Sequence, residues 1–443
     1  MELPKLPNLP SLSPKQLSLM IGGGLLFVVV VWLVIANPLT STKPPDVTLE
    51  VWGLESRGAM SPLLDRYSKI RPNVALTYRE FDSVSYERAL LEALASDRGP
   101  DVFMISNREL PKEKTRLVLL SGSVLGVPQL RELFPSAVEQ DFVSDGAVYA
   151  LPLYLDTLAL VYNADLLDEA GVIAPPKTWN DLQRMVPQLR RLTGSNQVVR
   201  AAIALGSTSA NVGNAVDILN LLMLQNGVPM TNSDNTAATF ALSNQKGVQA
   251  FNFYLEFANP SSPSYTWSST QVDSLDSFAS GDVAMVLAYQ SSLDRIKKRS
   301  PFMNMRLALS PQVEGGRSLS YPNYMGFGVS RKSKSSDWGW DFVYYVTTNR
   351  EAQEAYSAST GHPTALRELI GARVDDPVVG TFARQALTAR SWYQVDEREV
   401  QRAFNSAIED VLSGRLDSRR ALEQAQDQIS KLMETTIRLQ KRP

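Results

Sequence analysis

The chain has 443 residues, room for two or three domains at about 150 residues each, with 20% charged and 44% hydrophobic residues and a net charge of −2. That balance excludes the clustered basic surface of a nucleic-acid-binding protein. With no cysteine and a single histidine, His362, the chain is denied disulfides, thiol nucleophiles, an acylated-cysteine lipid anchor and a multi-histidine zinc site. No metal and no cofactor is expected.

Residues 1–16 form a short polar N-terminus carrying Lys5 and Lys15. Leu17 to Ala36, LSLMIGGGLLFVVVVWLVIA, then runs without a charge. As a helix it spans about 30 Å, the thickness of a bilayer core. The preceding lysines predict a single-pass segment in the cell membrane with its N-terminus in the cytoplasm and the rest of the chain outside. A cleaved signal peptide is the competing reading, with small residues at Val34-Ile35-Ala36. The apolar run exceeds the roughly 7–15 residues of a signal core, which favours an uncleaved anchor. Residues 37–45 are a polar, proline-containing tether.

Val47, Leu49 and Val51 alternate with polar residues as a strand does. Ser61-Pro62 reads as a helix start, a hydroxyl cap followed by proline, and Pro72 ends that helix. Val74, Leu76 and Tyr78 alternate as a second strand. Residues 85–96 read as a helix closed by Gly99-Pro100, and Val102 to Ile105 is a third strand. This β-α-β-α-β order predicts a mostly parallel sheet covered by helices. Such sheets bind ligands beyond the carboxyl ends of their strands. Trp52, Asp82 and Asn107 follow the three strands and so fall on one rim. Trp52 fits a packed core aromatic as well, and Asp82 and Asn107 also fit caps or turns.

Thr178 with Asp181 has the spacing of a capping box. Val198 to Leu205 reads as strand, residues 213–225 and 244–258 as helices, and Met285 to Ala288 as strand. Gly281-Asp282 reads as a turn before it. Gly326 to Ser330 is a further strand followed by a helix over 337–347. The tail is helical from about Val378, ending in the polar helix Ser418 to Gln440.

Seven segments in order resemble the maltose-binding-protein-like group of extracellular solute-binding proteins of ABC importers. They are GPDVFMIS at Gly99–Ser106, DGAVYALPLYLDTLALVYNADLL at Asp145–Leu167, PPKTWNDL at Pro175–Leu182, FASGDVAM at Phe278–Met285, GFGVSRKSKSSDWGWDFVYYVTTNREAQ at Gly326–Gln353, TGHPT at Thr360–Thr364, and RRALEQAQDQI at Arg419–Ile429. The resemblance covers about Val47 to Glu434. It implies a periplasmic-binding-protein-like α/β fold of two lobes joined by a hinge, lobe one from 46–154 and 320–368, lobe two from 155–319 and 369–443. It also implies no catalysis, a small solute with sugar favoured, an ABC permease in the same membrane, and a monomeric outer domain.

The resemblance carries a sugar-binding carboxylate onto Asp156 and an aromatic onto Tyr289, with Gln290 beside it. Asn211 and Asn214 precede a helix that faces the cleft in relatives, and Trp392 precedes a helix that supplies a stacking aromatic there. Where many relatives carry a Gly-Gly pair, this chain has Tyr321 to Gly326, so Asn323 and Tyr324 replace backbone contacts with side-chain ones. Glu55 completes the candidate ligand-binding set. Aromatic faces cover the apolar patches of a pyranose, while Asp, Asn and Gln satisfy hydroxyls whose burial without partners costs about 1–3 kcal/mol each. On this reading Asp156→Ala lowers solute affinity about tenfold or more and leaves the melting temperature near normal. Two other functions compete. A glycosidase would need a carboxylate pair across a cleft, with Glu55, Asp82 and Asp156 as candidates. A scaffold or sensor partner would keep the fold and lose the ligand.

Overall fold

The computed structural model of the chain describes residues 46–242, 245–376 and 379–440. The apolar run at 17–36 lies outside them; among the described residues no helix is long and apolar enough to cross a membrane.

The first sheet begins as the sequence pattern predicts. Strands Val47–Gly53, Val74–Glu80 and Val102–Ser106 are parallel, with Val47–Gly53 in the middle and helices Arg57–Ile70 and Tyr86–Ala95 as crossovers. The sheet then departs from parallel order. Met325–Ser330 returns from far along the chain and pairs antiparallel with Val102–Ser106 on one side and with Leu117–Val118 and Leu151–Pro152 on the other. The first crossover helix starts earlier than Ser61-Pro62 suggests. Ser56 is its cap, accepting from the Ala59 N–H at 3.1 Å, and the Ser61 hydroxyl bonds Asp65 at 3.2 Å. The strand ends at Gly53, so the first hydroxyl available to turn the chain takes the capping role.

The second sheet runs in the order Arg191–Leu192, Val198–Ile203, Val283–Ala288, Ala159–Asn163, Met305–Ala308, with a parallel pair in its middle. Thr178 and Asp181 form the expected reciprocal capping box at the start of helix Trp179–Leu189. Gly281 ends helix Ser274–Ser280 at φ +85°, a conformation open to glycine, and feeds the next strand.

Two separate hydrophobic cores define two lobes. One holds Leu49 to Leu155 and Tyr324 to Ile370, and extends to Ala383, Ala386 and Ala389. The other holds Leu158 to Tyr321 and Trp392 to Met433, with Phe382. Helix Gly380–Ala386 therefore packs into both. The chain crosses between cores at Asp156–Thr157, which pairs antiparallel with Pro322–Asn323, and again beyond Ala389, which bridges Ser320. These crossings set the rims of the two sheets against each other along one seam.

Candidate functional site

Arg108 sits at the centre of that seam. It follows the third strand of lobe one and is 2% exposed. Its Nη1 lies 2.9 Å from Asp217 Oδ1 and 2.7 Å from Glu397 Oε1. Its Nη2 donates to Asp217 Oδ2 and to the Pro322 carbonyl, both at 3.0 Å. The ring of Tyr321 lies beneath the guanidinium at 4.9 Å. Asp217 stands in the first turn of helix Ala215–Gln225 and Glu397 opens helix Glu397–Leu412, where the positive helix ends favour carboxylates. Tyr289 donates its hydroxyl to Asp217 Oδ2 at 2.7 Å. Burial works against the Arg108 charge, and the Asp217, Tyr321 and Glu397 groups outweigh it, holding the guanidinium above its usual range.

Further polar bonds flank this pair. Ser106 donates to Glu397 at 2.9 Å, Lys112 bridges Glu87 and Asp396, and Arg398 reaches Glu87 and the Ser83 carbonyl. The Glu109 carboxylate lies among them with no hydrogen bond or ion pair of its own among the described residues, while its backbone bonds Ser106, Lys112 and Glu113. Burial and the neighbouring Glu397 charge push its carboxyl up to about 8, against the pull of Lys112.

A second polar cluster occupies another stretch of the seam. Glu55 Oε1 accepts from the Tyr356 hydroxyl at 3.0 Å and lies 3.3 Å from His362 Nε2. The His362 ring stacks on Tyr154, centroids 4.1 Å apart and planes 12° apart. From lobe two, the Gln290 amide donates to the Gly361 carbonyl. Among the described residues, Gln290 Oε1 and His362 Nδ1 are buried with no hydrogen-bond partner. A guest hydroxyl gains most at such atoms, since each costs about 1–3 kcal/mol while unpaired.

The expected site residues divide between seam and scaffold. Glu55, Tyr289 and Gln290 stand on the seam, and Asn214 lies at the start of the Asp217 helix, with φ +62° and no cap bond from its side chain. Asn323 pairs with Asp156 in the crossing ladder. Trp52 faces the other side of its sheet. Its ring packs on Phe81, centroids 4.6 Å apart, beneath the Arg79 guanidinium, and its N–H donates to Glu50. The groove it lines runs under helix Tyr86–Ala95, because the strand alternation that aims Val51 one way aims Trp52 the other. Asp82 is exposed and closes the turn before that helix, accepting from the Val84 and Ser85 N–H groups.

Asn107 and Tyr324 are spent on one buried carboxyl. Both donate to Asp141 Oδ2, at 3.0 and 2.7 Å, and burial pushes that group up to about 6. Asp156 accepts three backbone N–H bonds, from Thr157, Gln290 and Ser291, at 2.8–3.0 Å. Asn211 staples its loop to the Ser268 and Gln271 carbonyls. Trp392 packs on Phe240 and lines a cavity of about 280 Å³ with Asn107, Lys114, Gln140 and Gln394. Of the three candidates for a glycosidase's carboxylate pair, Asp82 and Asp156 are thus committed to backbone bonds.

Sequence reasoning missed Arg108, Glu109, Tyr154, Asp217 and Glu397, and gave His362 no place in the site. Arg108 and Glu109 sit directly after Asn107, the rim residue expected from the strand ends, whose amide bonds Asp141. Nothing local marks Asp217 or Glu397 apart from ordinary acidic residues in a first helical turn.

Two α/β lobes, joined by crossing strands and facing each other through polar rims, define the two-lobed binding-protein class. Residues 52–353 match the family of bacterial extracellular solute-binding proteins, and the chain belongs to that family. A Deinococcus radiodurans protein named "Probable ABC transporter-binding protein" is 24% identical over 358 residues, 77% of this chain and 81% of the relative. The maltotriose-binding protein of Pyrococcus abyssi is 21% identical over 328 residues, 73% and 67% of the two chains. Among solved structures, the sugar-binding protein MalE from the phytopathogen Xanthomonas citri superposes with a TM-score of 0.75 at 21% identity, over 89% of this chain and all of that one. Its likeness bears on the fold.

Proposed function

We propose that the chain is the solute-capturing subunit of an ABC importer, that its solute is a carbohydrate, and that it performs no bond chemistry. The observation that carries this reading is the pair of unpartnered polar atoms on the seam, Gln290 Oε1 from lobe two and His362 Nδ1 from lobe one, beside the Tyr154 ring. A sugar hydroxyl set between them would touch both lobes, and a solute that touches both favours the closed arrangement over an open one. The sugar ligands named for the Pyrococcus and Xanthomonas relatives support the same class. In this reading residues 17–36 anchor the chain in the membrane and residues 37–45 tether the lobes, as a monomeric outer domain, close to a permease in the same membrane.

The test is a thermal-shift screen of residues 45–443 against mono- and oligosaccharides, polyols, short peptides and phosphorylated solutes. A solute at 100 times its dissociation constant adds about 2.7 kcal/mol of stability, a shift of a few degrees. A shift confined to one sugar family supports the proposal. Shifts with peptides or phosphates alone discard the carbohydrate.

The Arg108 network favours a second reading, a scaffold or sensor partner at the membrane that closes without a solute. A screen in which nothing shifts the transition supports that reading.

A further inference from the structure

We infer that lobe two carries a guanidinium-binding site, built from Asp217, Glu397 and Tyr289, and that Arg108 of lobe one fills it as a tethered ligand, closing the lobes without a solute. Three separate elements of lobe two converge on one cation: the first turn of helix Ala215–Gln225, the first residue of helix Glu397–Leu412, and the residue following strand Val283–Ala288. The Asp217 carboxylate takes Arg108 in a two-pronged pair, 2.9 and 3.0 Å, the planar match that distinguishes guanidinium from ammonium. Tyr289 donates to the same carboxylate at 2.7 Å, and its hydroxyl lies 3.4 Å from Arg108 Nη2. The side chains of Arg108 and Asp217 are 1% and 4% exposed, so the pair is shut away from water on the seam. Lobe one supplies the cation and the Ser106 hydroxyl, which donates to Glu397. When the lobes part, lobe two is left with two carboxylates that have lost the cation, and lobe one with a charged arginine.

The cage would therefore accept a small external guanidinium whenever Arg108 is absent. The inference is independent of whether a carbohydrate binds elsewhere on the seam, so failure of the sugar screen leaves it standing.

Its test uses small-angle scattering on residues 45–443, with no sugar present, for the wild type, Arg108→Ala and Arg108→Ala combined with Asp217→Asn. The single variant is expected to show a larger radius of gyration than the wild type while keeping native near-ultraviolet dichroism. Methylguanidinium, titrated below its denaturing range, should restore the wild-type value. In the double variant the midpoint of that rescue should rise about tenfold or more, because the two-pronged acceptor is gone. Methylammonium should rescue less well than methylguanidinium. A single variant with unchanged dimensions, or an opened one that methylguanidinium does not close, overturns the inference. Should Arg108→Ala fail to fold, Arg108→Lys keeps the charge and loses the fork. A larger radius for that variant supports the tethered ligand, and an unchanged radius overturns it.

Discussion

The carboxylate of Asp156 and the backbone N–H of Gln290, 134 residues apart, meet at 2.9 Å where the chain first crosses between lobes. With the bonds from Thr157 and Ser291, that carboxylate fastens the crossing strand to the turn after strand Val283–Ala288. Burial pushes its pKa up while the backbone donors hold it down. Asp156→Ala would strip three N–H groups of their acceptor, the buried one of Thr157 and the part-buried ones of Gln290 and Ser291, at up to about 1–3 kcal/mol each, offset by relief of a buried charge. The expected net loss is about 3 kcal/mol, read as a lower urea midpoint. A variant with wild-type stability and lost sugar binding would return Asp156 to the role the family resemblance implies.

Gly326 tests the packing that brings the chain back to lobe one. A β-carbon there would lie 2.5 Å from the Phe142 ring and 2.6 Å from the Leu151 carbonyl, in the middle of a strand paired on both sides. Neither neighbour is a flexible chain end. Gly326→Ala should cost about 1–3 kcal/mol through overpacking, measured by chemical denaturation. Stability equal to the wild type would mean that the returning strand is held more loosely than the contacts imply.

The first sheet was legible because each of its early elements announces itself locally. Leu49 and Val51 alternate, Pro72 stops a helix, and Gly99-Pro100 precedes a buried strand. The return of Met325–Ser330 to lobe one came only from family resemblance, since no local pattern tells a strand which sheet it will join. The seam was harder still. Alternation says that Val51 and Trp52 point opposite ways, but not which of them meets the helix layer. Asn107 and Arg108 are equally polar and adjacent, and only the positions of Asp141 behind and Asp217 across the seam decide that one is scaffold and the other reaches lobe two. Asp217 and Arg108 are 109 residues apart, a pairing that spacing cannot reveal.

His362→Phe asks whether the unpartnered atoms of the seam meet the solute. Phenylalanine keeps a flat ring against Tyr154 and removes both ring nitrogens. Sugar affinity should fall about tenfold, the loss of roughly one hydrogen bond, while the unfolding free energy stays within about 1 kcal/mol of the wild type. Isothermal titration with the sugar found in the thermal screen measures the first, and urea denaturation the second. Unchanged affinity would move the solute contact away from Glu55 and His362, toward the cavity beside Trp392.

Glu109 gives the seam a pH dependence of fixed sign. Its carboxyl is pushed up to about 8 by burial and by the Glu397 charge, with Glu113 and Glu87 acting in the same direction. In the unfolded chain it titrates near 4.3. The folded protein therefore binds this proton more tightly than the unfolded one between those values. The resulting stabilisation is fully present below about pH 4 and is lost as pH rises through about 8. Glu109→Gln resembles the protonated form at every pH. At pH 4 the variant should match the wild type closely, and at pH 9 it should be the more stable by about 1.4 kcal/mol or more, one pKa unit being worth that much. Thermal unfolding of both proteins at the two pH values decides it. A variant less stable than the wild type at pH 9 would mean that the ionised carboxylate is held by Lys112 instead of being repelled by its acidic neighbours.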